Sequence, residues 1–165
     1  TTEIYTLSLH DALPISRPAN VEGAGEVTLR DLVREALRMR PDRLVVGEVR
    51  GREVCELLNA LNTGHDGGAG TLHANSPSEV PARLEALAAL GGLSRSALHS
   101  QLAAAVQLVL HMERAGGRRR LTEIGVVRRS GDGVEVRPVW TTSGPTDDHE
   151  LLASLLRNRG VEAPW

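Results

Sequence analysis

The sequence predicts an α/β fold in which helices cover a mostly parallel sheet, followed by a C-terminal β-hairpin. Three observations carry this. Between residues 28 and 113, short Val-rich runs alternate with stretches whose apolar side chains recur every three or four positions, the pattern of strands connected through helices. Further on, Ser130-Gly131-Asp132-Gly133 joins two strand-like segments, 121–129 and 134–139, as a hairpin turn does. Finally, 24 Leu, 16 Val and 3 Ile among 165 residues exceed the apolar content of disordered chains and suit one domain or a substantial piece of one.

The elements follow in order. Residues 1–16 (TTEIYTLSLHDALPIS) hold the single Tyr and two of the three Ile and show no sustained period. They resemble a translated sequencing-adapter peptide, which predicts a foreign segment with a seam near Arg17. Thr28, with Asp31 three residues on, signals a helix start. Leu29, Leu32, Val33, Ala36 and Leu37 mark one helix face, and Pro41 ends the run. Residues 44–49 form a short run too brief for a helix, hence a buried strand. A helix over 53–62 gives way to four glycines within 64–70, a turn-rich loop, with a strand expected over 70–74. Ser76, Pro77 and Glu79 predict a capped helix running to Leu90, with Glu79 reaching back to the cap amide. Gly91 and Gly92 break it. Ser94 caps a long helix whose stripe of Leu98, Leu102, Ala105, Val106, Val109 and Leu110 extends to Met112. Residues 17–140 form the principal domain, and 141–165 a polar tail with a short Leu-rich helix.

Composition removes several functional classes. All 19 basic residues are Arg, against 21 acidic ones, so a net charge of −2 gives no global attraction to nucleic acid. Without lysine, a Schiff-base lysine and the lysine of a Walker A phosphate loop are both excluded. The single Cys55 makes no intrachain disulfide or thiolate cluster. The longest apolar stretches fall short of the roughly 18 residues of a spanning helix, and Glu3, His10 and Asp11 without a basic leader argue against a secretory signal; a soluble or peripheral chain is expected.

Two segments can carry chemistry. In residues 44–51 (LVVGEVRG), a strand delivers Glu48 and Arg50 at its carboxyl end, where ligands gather in open α/β sheets. A carboxylate there holds magnesium through water or orients an attacking water, and an arginine pairs with phosphate; both residues can equally end a strand in solvent. In residues 64–77 (GHDGGAGTLHANSP), His65 and His73 can contact phosphate or relay protons. The alternatives are a metal site of His65, Asp66 and His73, whose spacing matches no zinc motif, and purely structural hydrogen bonding of the loop. Arg118 to Arg120 can meet phosphate or acidic lipid, or simply form a solvated face. His10, His99, His111 and His149 have no partner pattern. A chain with no Phe, one Tyr and two Trp lacks the aromatic interleaving of a single-strand nucleic-acid binder.

The run VTLRDLVREALRMRPDRLVVGEVRG followed by NTGHDGGAGTLHANSP resembles the type II/IV secretion ATPases, most nearly the branch that powers tight-adherence (Flp-type) pilus assembly, over about residues 17–127. The resemblance implies a partial RecA-like motor domain, ATP and magnesium as cofactors, and a cytoplasmic hexamer peripheral to the inner membrane, working with platform proteins of a pilus or secretion machine. It implies that Glu48 is the Walker B acidic residue, acting as general base and supporting magnesium, with Gly47 leaving space beside it. His73, in the histidine box Thr71-Leu72-His73-Ala74-Asn75, would sense the γ-phosphate; His65 and Asp66 would shape the same wall, and Arg50 would contact phosphate or a neighbouring subunit. The family's Walker A loop lies upstream of these motifs, so a lysine-free chain is expected to be a C-terminal fragment inactive on its own. The alternative from another class is a non-catalytic interaction module with a structural histidine box.

Overall fold

The computed structural model describes residues 25–64 and 67–162. Residues 1–16, the proposed seam at Arg17, His65 and Asp66 lie outside the described residues.

The chain runs α1 (Leu29–Arg38), β1 (Val45–Val46), α2 (Val54–Asn62), β2 (Ala69–Gly70), a 3-10 turn (Pro77–Glu79), α3 (Val80–Leu90), α4 (Arg95–Ala105), β3 (Leu108–Ala115), β4 (Arg118–Ser130), β5 (Gly133–Thr141), β6 (Gly144–Pro145) and α5 (His149–Arg157). The fold is mixed α/β. Its parallel part is the pair β1–β2, while β3-β4-β5-β6 form a larger antiparallel sheet, so the expectation of a mostly parallel sheet is corrected. The hairpin is the β4–β5 unit, turning at Gly131, whose φ of 53° suits glycine.

Local signals explain the helix ends. Thr28 caps α1 and Asp31 returns a hydrogen bond to the Thr28 amide, a complete capping box. Ser94 caps α4 through the Ala97 amide. Ser76 does not cap: its hydroxyl accepts no backbone amide and pairs with the Ser78 hydroxyl at 2.9 Å, and the Glu79 carboxylate accepts from Asn75 Nδ2 at 2.9 Å instead of reaching the cap amide. The single long helix expected up to Met112 is also corrected. It ends at Ala105, and Val106 turns extended (φ −113°, ψ 121°). Residues from Leu108 onward then pair with β4, because a continuous apolar run fits a strand as well as a helix and the distant partner decides.

Two apolar clusters hold these layers. The larger contains Val33, Val46, Val54, Leu58, Leu84, Leu98 and Leu102, reaching Val127 and Val134 on one face of the antiparallel sheet. The smaller packs Val126 and Val139, on the opposite face, against Leu152 of α5. Gly70 lets α2 approach β2: a Cβ there would meet Leu57 Cδ2 at 2.7 Å. A polar clasp crosses the larger cluster, where buried His99 accepts the Val134 N–H at Nδ1 (2.9 Å) and sets Nε2 2.6 Å from Glu85 Oε1. It joins α3, α4 and the start of β5. No helix among the described residues is long and apolar enough to cross a membrane.

Candidate functional site

The site stands at the carboxyl end of β1. Backbone bonds extend the parallel ladder beyond its two paired residues: Ala69 N–H donates to the Leu44 carbonyl (2.9 Å), Thr71 N–H to that of Val46 (3.3 Å), and Val49 N–H to that of Thr71 (2.7 Å). This stitching carries the chain after β2 alongside Gly47 to Arg50. It brings His73 Nε2 to 2.8 Å from Glu48 Oε1, while an Arg50 guanidinium nitrogen lies 2.6 Å from Glu48 Oε2. Two side chains, one from each segment, therefore converge on the Glu48 carboxylate. The Glu48 side chain is 25% exposed, His73 50% and Arg50 77%, so the acid lies within the mouth and the two nitrogen groups at its rim.

The electrostatics follow from these contacts. The Arg50 hydrogen bond holds the Glu48 carboxyl below its usual range; partial burial opposes this, and the charges of Arg50 and His73 reinforce it. Arg50 is correspondingly raised by Glu48. Glu48 Oε1 is enclosed and accepts no well-aligned hydrogen bond, although His73 stands at ion-pair distance when its ring is protonated. A lone pair is left for a further donor or for a cation's hydration shell.

Of the other expected site residues, Thr71 is buried and joins the ladder through its backbone, whereas Asn75 is directed to Glu79 at the end of the 3-10 turn. His65 and Asp66, two of the three residues of the expected metal trio, lie outside the described residues. Gly47 has open space where a Cβ would stand. Sequence reasoning missed Glu53, whose Oε1 accepts the amides of Arg50 (2.7 Å) and Gly51 (2.9 Å). It fixes the turn that presents Arg50. The signal was an acid two and three residues after the exposed amides at a helix start, where carboxylates are favoured.

A parallel strand pair with an acid, an imidazole and a guanidinium at its carboxyl end, under apolar helices, defines an α/β protein with a polar site at a sheet edge, the usual place for ligand chemistry in such folds. Residues 12–136 match the family described as "Type II/IV secretion system protein", and the chain belongs to that family. A Mycobacterium tuberculosis protein named "Putative conjugal transfer protein" is 65% identical over 147 residues, 88% of this chain and 42% of the relative. Protein VirB11 of Agrobacterium fabrum is 28% identical over 144 residues, 85% of this chain and 38% of its own length. Among solved structures, the VirB11 ATPase from the Brucella suis type IV secretion system, in complex with sulphate, superposes with a TM-score of 0.56 at 28% identity, covering 61% of this chain and 32% of that one. This chain thus spans less than half the length of these relatives.

Proposed function

We propose that this chain carries the Walker B and histidine-box wall of an ATPase that powers pilus assembly or secretion, most nearly of the tight-adherence branch. The single observation that supports this best is the meeting of Glu48 and His73 at 2.8 Å, which sets an acid and an imidazole within reach of one terminal phosphate.

In the proposed hydrolysis, water oxygen attacks the γ-phosphorus, the bond to the β-bridging oxygen breaks, and the water proton passes to the Glu48 carboxylate. Kept ionised by Arg50, Glu48 orients and polarises the water, and positioning is what phosphoryl transfer chiefly requires. His73 donates from Nε2 to a γ-phosphate oxygen. Arg50, the most exposed of the three, turns to phosphate or to a neighbouring subunit. The donor set fits magnesium: one carboxylate oxygen without an aligned hydrogen bond suits a cation that keeps several waters and otherwise binds substrate phosphates. Magnesium held through water by Glu48 would neutralise phosphate charge.

A lysine-free chain provides no Walker A lysine, so the 165-residue polypeptide is expected neither to bind ATP tightly nor to hydrolyse it. Working as a cytoplasmic hexamer against inner-membrane platform proteins belongs to the same proposal. So does completion of the sheet: a cavity of about 460 Å³ separates β2 from β3, lined by Leu57, Leu61, Gly70, Val106 and Leu108, and suits an apolar strand from the rest of a longer protein.

The test is a chimera in which this chain replaces the matching segment of the mycobacterial relative. Magnesium-dependent ATP turnover is expected, and Glu48→Gln should lower kcat by about a hundredfold or more while nucleotide binding persists. Normal turnover by that variant removes Glu48 from the base role. Turnover indifferent to both Glu48 and His73 favours the interaction-module alternative.

A further inference from the structure

The turn between β1 and α2 is held at its two ends by buried side chains and in between by one carboxylate. Val49 and Val54 are both buried in the larger apolar cluster, and the Val49 amide is already committed to the Thr71 carbonyl at 2.7 Å. The second half of the turn closes through its own backbone, Val54 N–H donating to the Gly51 carbonyl (3.3 Å) and Cys55 N–H to that of Arg52 (3.1 Å). The first half relies on Glu53. Its Oε1 receives the Arg50 amide at 2.7 Å and the Gly51 amide at 2.9 Å, and two successive N–H groups aimed at one oxygen fix the peptide plane between them.

This acid is not an ordinary helix cap. A capping side chain accepts from the helix's own first amides, but Glu53, the N-cap residue of α2, makes no such bond and folds back over the turn. Gly51 leaves room for it: a Cβ there would stand 3.1 Å from Glu53 Oε2. The consequence falls on Arg50. Its side chain is 77% exposed, so packing does not hold it, and a long exposed side chain gives up rotamer freedom to keep one partner. Its 2.6 Å contact with Glu48 Oε2 therefore depends on where its backbone starts. The Val49 ladder bond sets that backbone on one side, and Glu53 sets it on the other.

We propose that Glu53 is a positioning residue for the reaction at Glu48: by holding the Arg50 and Gly51 amides on one carboxylate oxygen, it sets the Arg50 guanidinium against Glu48 Oε2 and so fixes the direction in which Glu48 faces. This deepens the ATPase reading and rests on it. With Arg50 on Oε2, Oε1 stays on the side of His73; once Arg50 is loose, the carboxylate swings and its alignment with an attacking water is lost in part. Glu53 acts through Arg50 and meets no reactant. What it supplies is an acceptor oxygen at a set reach, so shortening the side chain matters more than removing its charge.

The experiment compares Glu53→Gln, which keeps an oxygen in place, with Glu53→Asp, which keeps the charge on a side chain one methylene shorter. In the 165-residue chain, Glu53→Asp should speed hydrogen exchange of the Arg50 and Gly51 amides about tenfold and mobilise the Arg50 side chain by NMR, with the Val49 amide unchanged as the sign of an intact fold. Glu53→Gln should resemble the parent. In the chimera with the mycobacterial relative, Glu53→Asp should lower kcat about tenfold with KM within about twofold, and Glu53→Gln should retain most of kcat. Arg50 and Gly51 amides indifferent to Glu53→Asp, or a kcat that survives Glu53→Asp and falls in Glu53→Gln, would overturn the proposal. A chimera that needs Glu48 but turns over normally as Glu53→Asp overturns it alone; one whose turnover ignores Glu48→Gln removes the ATPase reading, and the positioning role falls with it.

Discussion

Replacing His99 tests whether one buried imidazole fastens the hairpin to the helical layer. The ring nitrogen that accepts the Val134 amide carries no proton, so Nε2 donates toward Glu85. Alanine strands the Val134 N–H in a buried position at a cost of about 1–3 kcal/mol, and deletes a hydrogen bond to a carboxylate worth about 1.5–3 kcal/mol. Because the two losses share one side chain and the site relaxes, His99→Ala is expected to cost about 2–4 kcal/mol in total. Urea unfolding reads this as a lower midpoint at unchanged slope. His99→Asn can still accept from Val134 and should recover about half of the loss. The pH dependence has a defined sign. The His99 hydrogen bond holds the Glu85 carboxyl below its usual range, with partial burial opposing and Arg95 assisting. This stabilisation is complete above the unfolded carboxylate pKa and is lost as pH falls through the lower folded value, so the acid slope should flatten in His99→Ala. A variant within about 0.5 kcal/mol of the parent, the range of ordinary surface changes, would refute the clasp.

Two further outcomes are expected. Arg50→Ala should move the Glu48 titration upward, followed by carboxyl NMR, because the leading cause of its depression is gone; stability retained above the unfolded carboxylate pKa and lost through the folded one should then shrink in the acid range. A Glu48 titration that does not move would refute that assignment. Gly125→Ala would thrust a Cβ into Val136 Cγ1 and should cost about 1–3 kcal/mol in urea unfolding. Val136→Ala in the same chain should restore part of this, and additive losses would contradict the clash.

Much of the fold was legible wherever local chemistry decides it. Thr28 and Asp31 specify the start of α1, and Gly-Asp-Gly places the β4–β5 turn, since each acts within a few residues. The errors fall where distant partners decide. Leu108 to Met112 read as helix because their spacing suits one, yet β4 recruits them as a strand. Glu79 has the spacing of a capping box, but Asn75 occupies its carboxylate. The same division holds in the site. Glu48 and Arg50 are two residues apart at a strand end, so their pairing is local. The approach of His73 depends on β2 lying parallel to β1, which the residue spacing did not reveal and the family resemblance suggested. His99 had no partner pattern because Glu85 and Val134 lie 14 and 35 residues away.

The three backbone bonds that bind residues 69–71 to 44–49 fix more than a sheet edge. Side chains alternate along a strand, so a slip of one residue between these segments would turn the imidazole from the acid to the opposite side. Acid and imidazole are thus indexed to each other like teeth on meshed racks. A load that shears these two segments breaks their alignment in a single step, with no intermediate setting between engaged and disengaged.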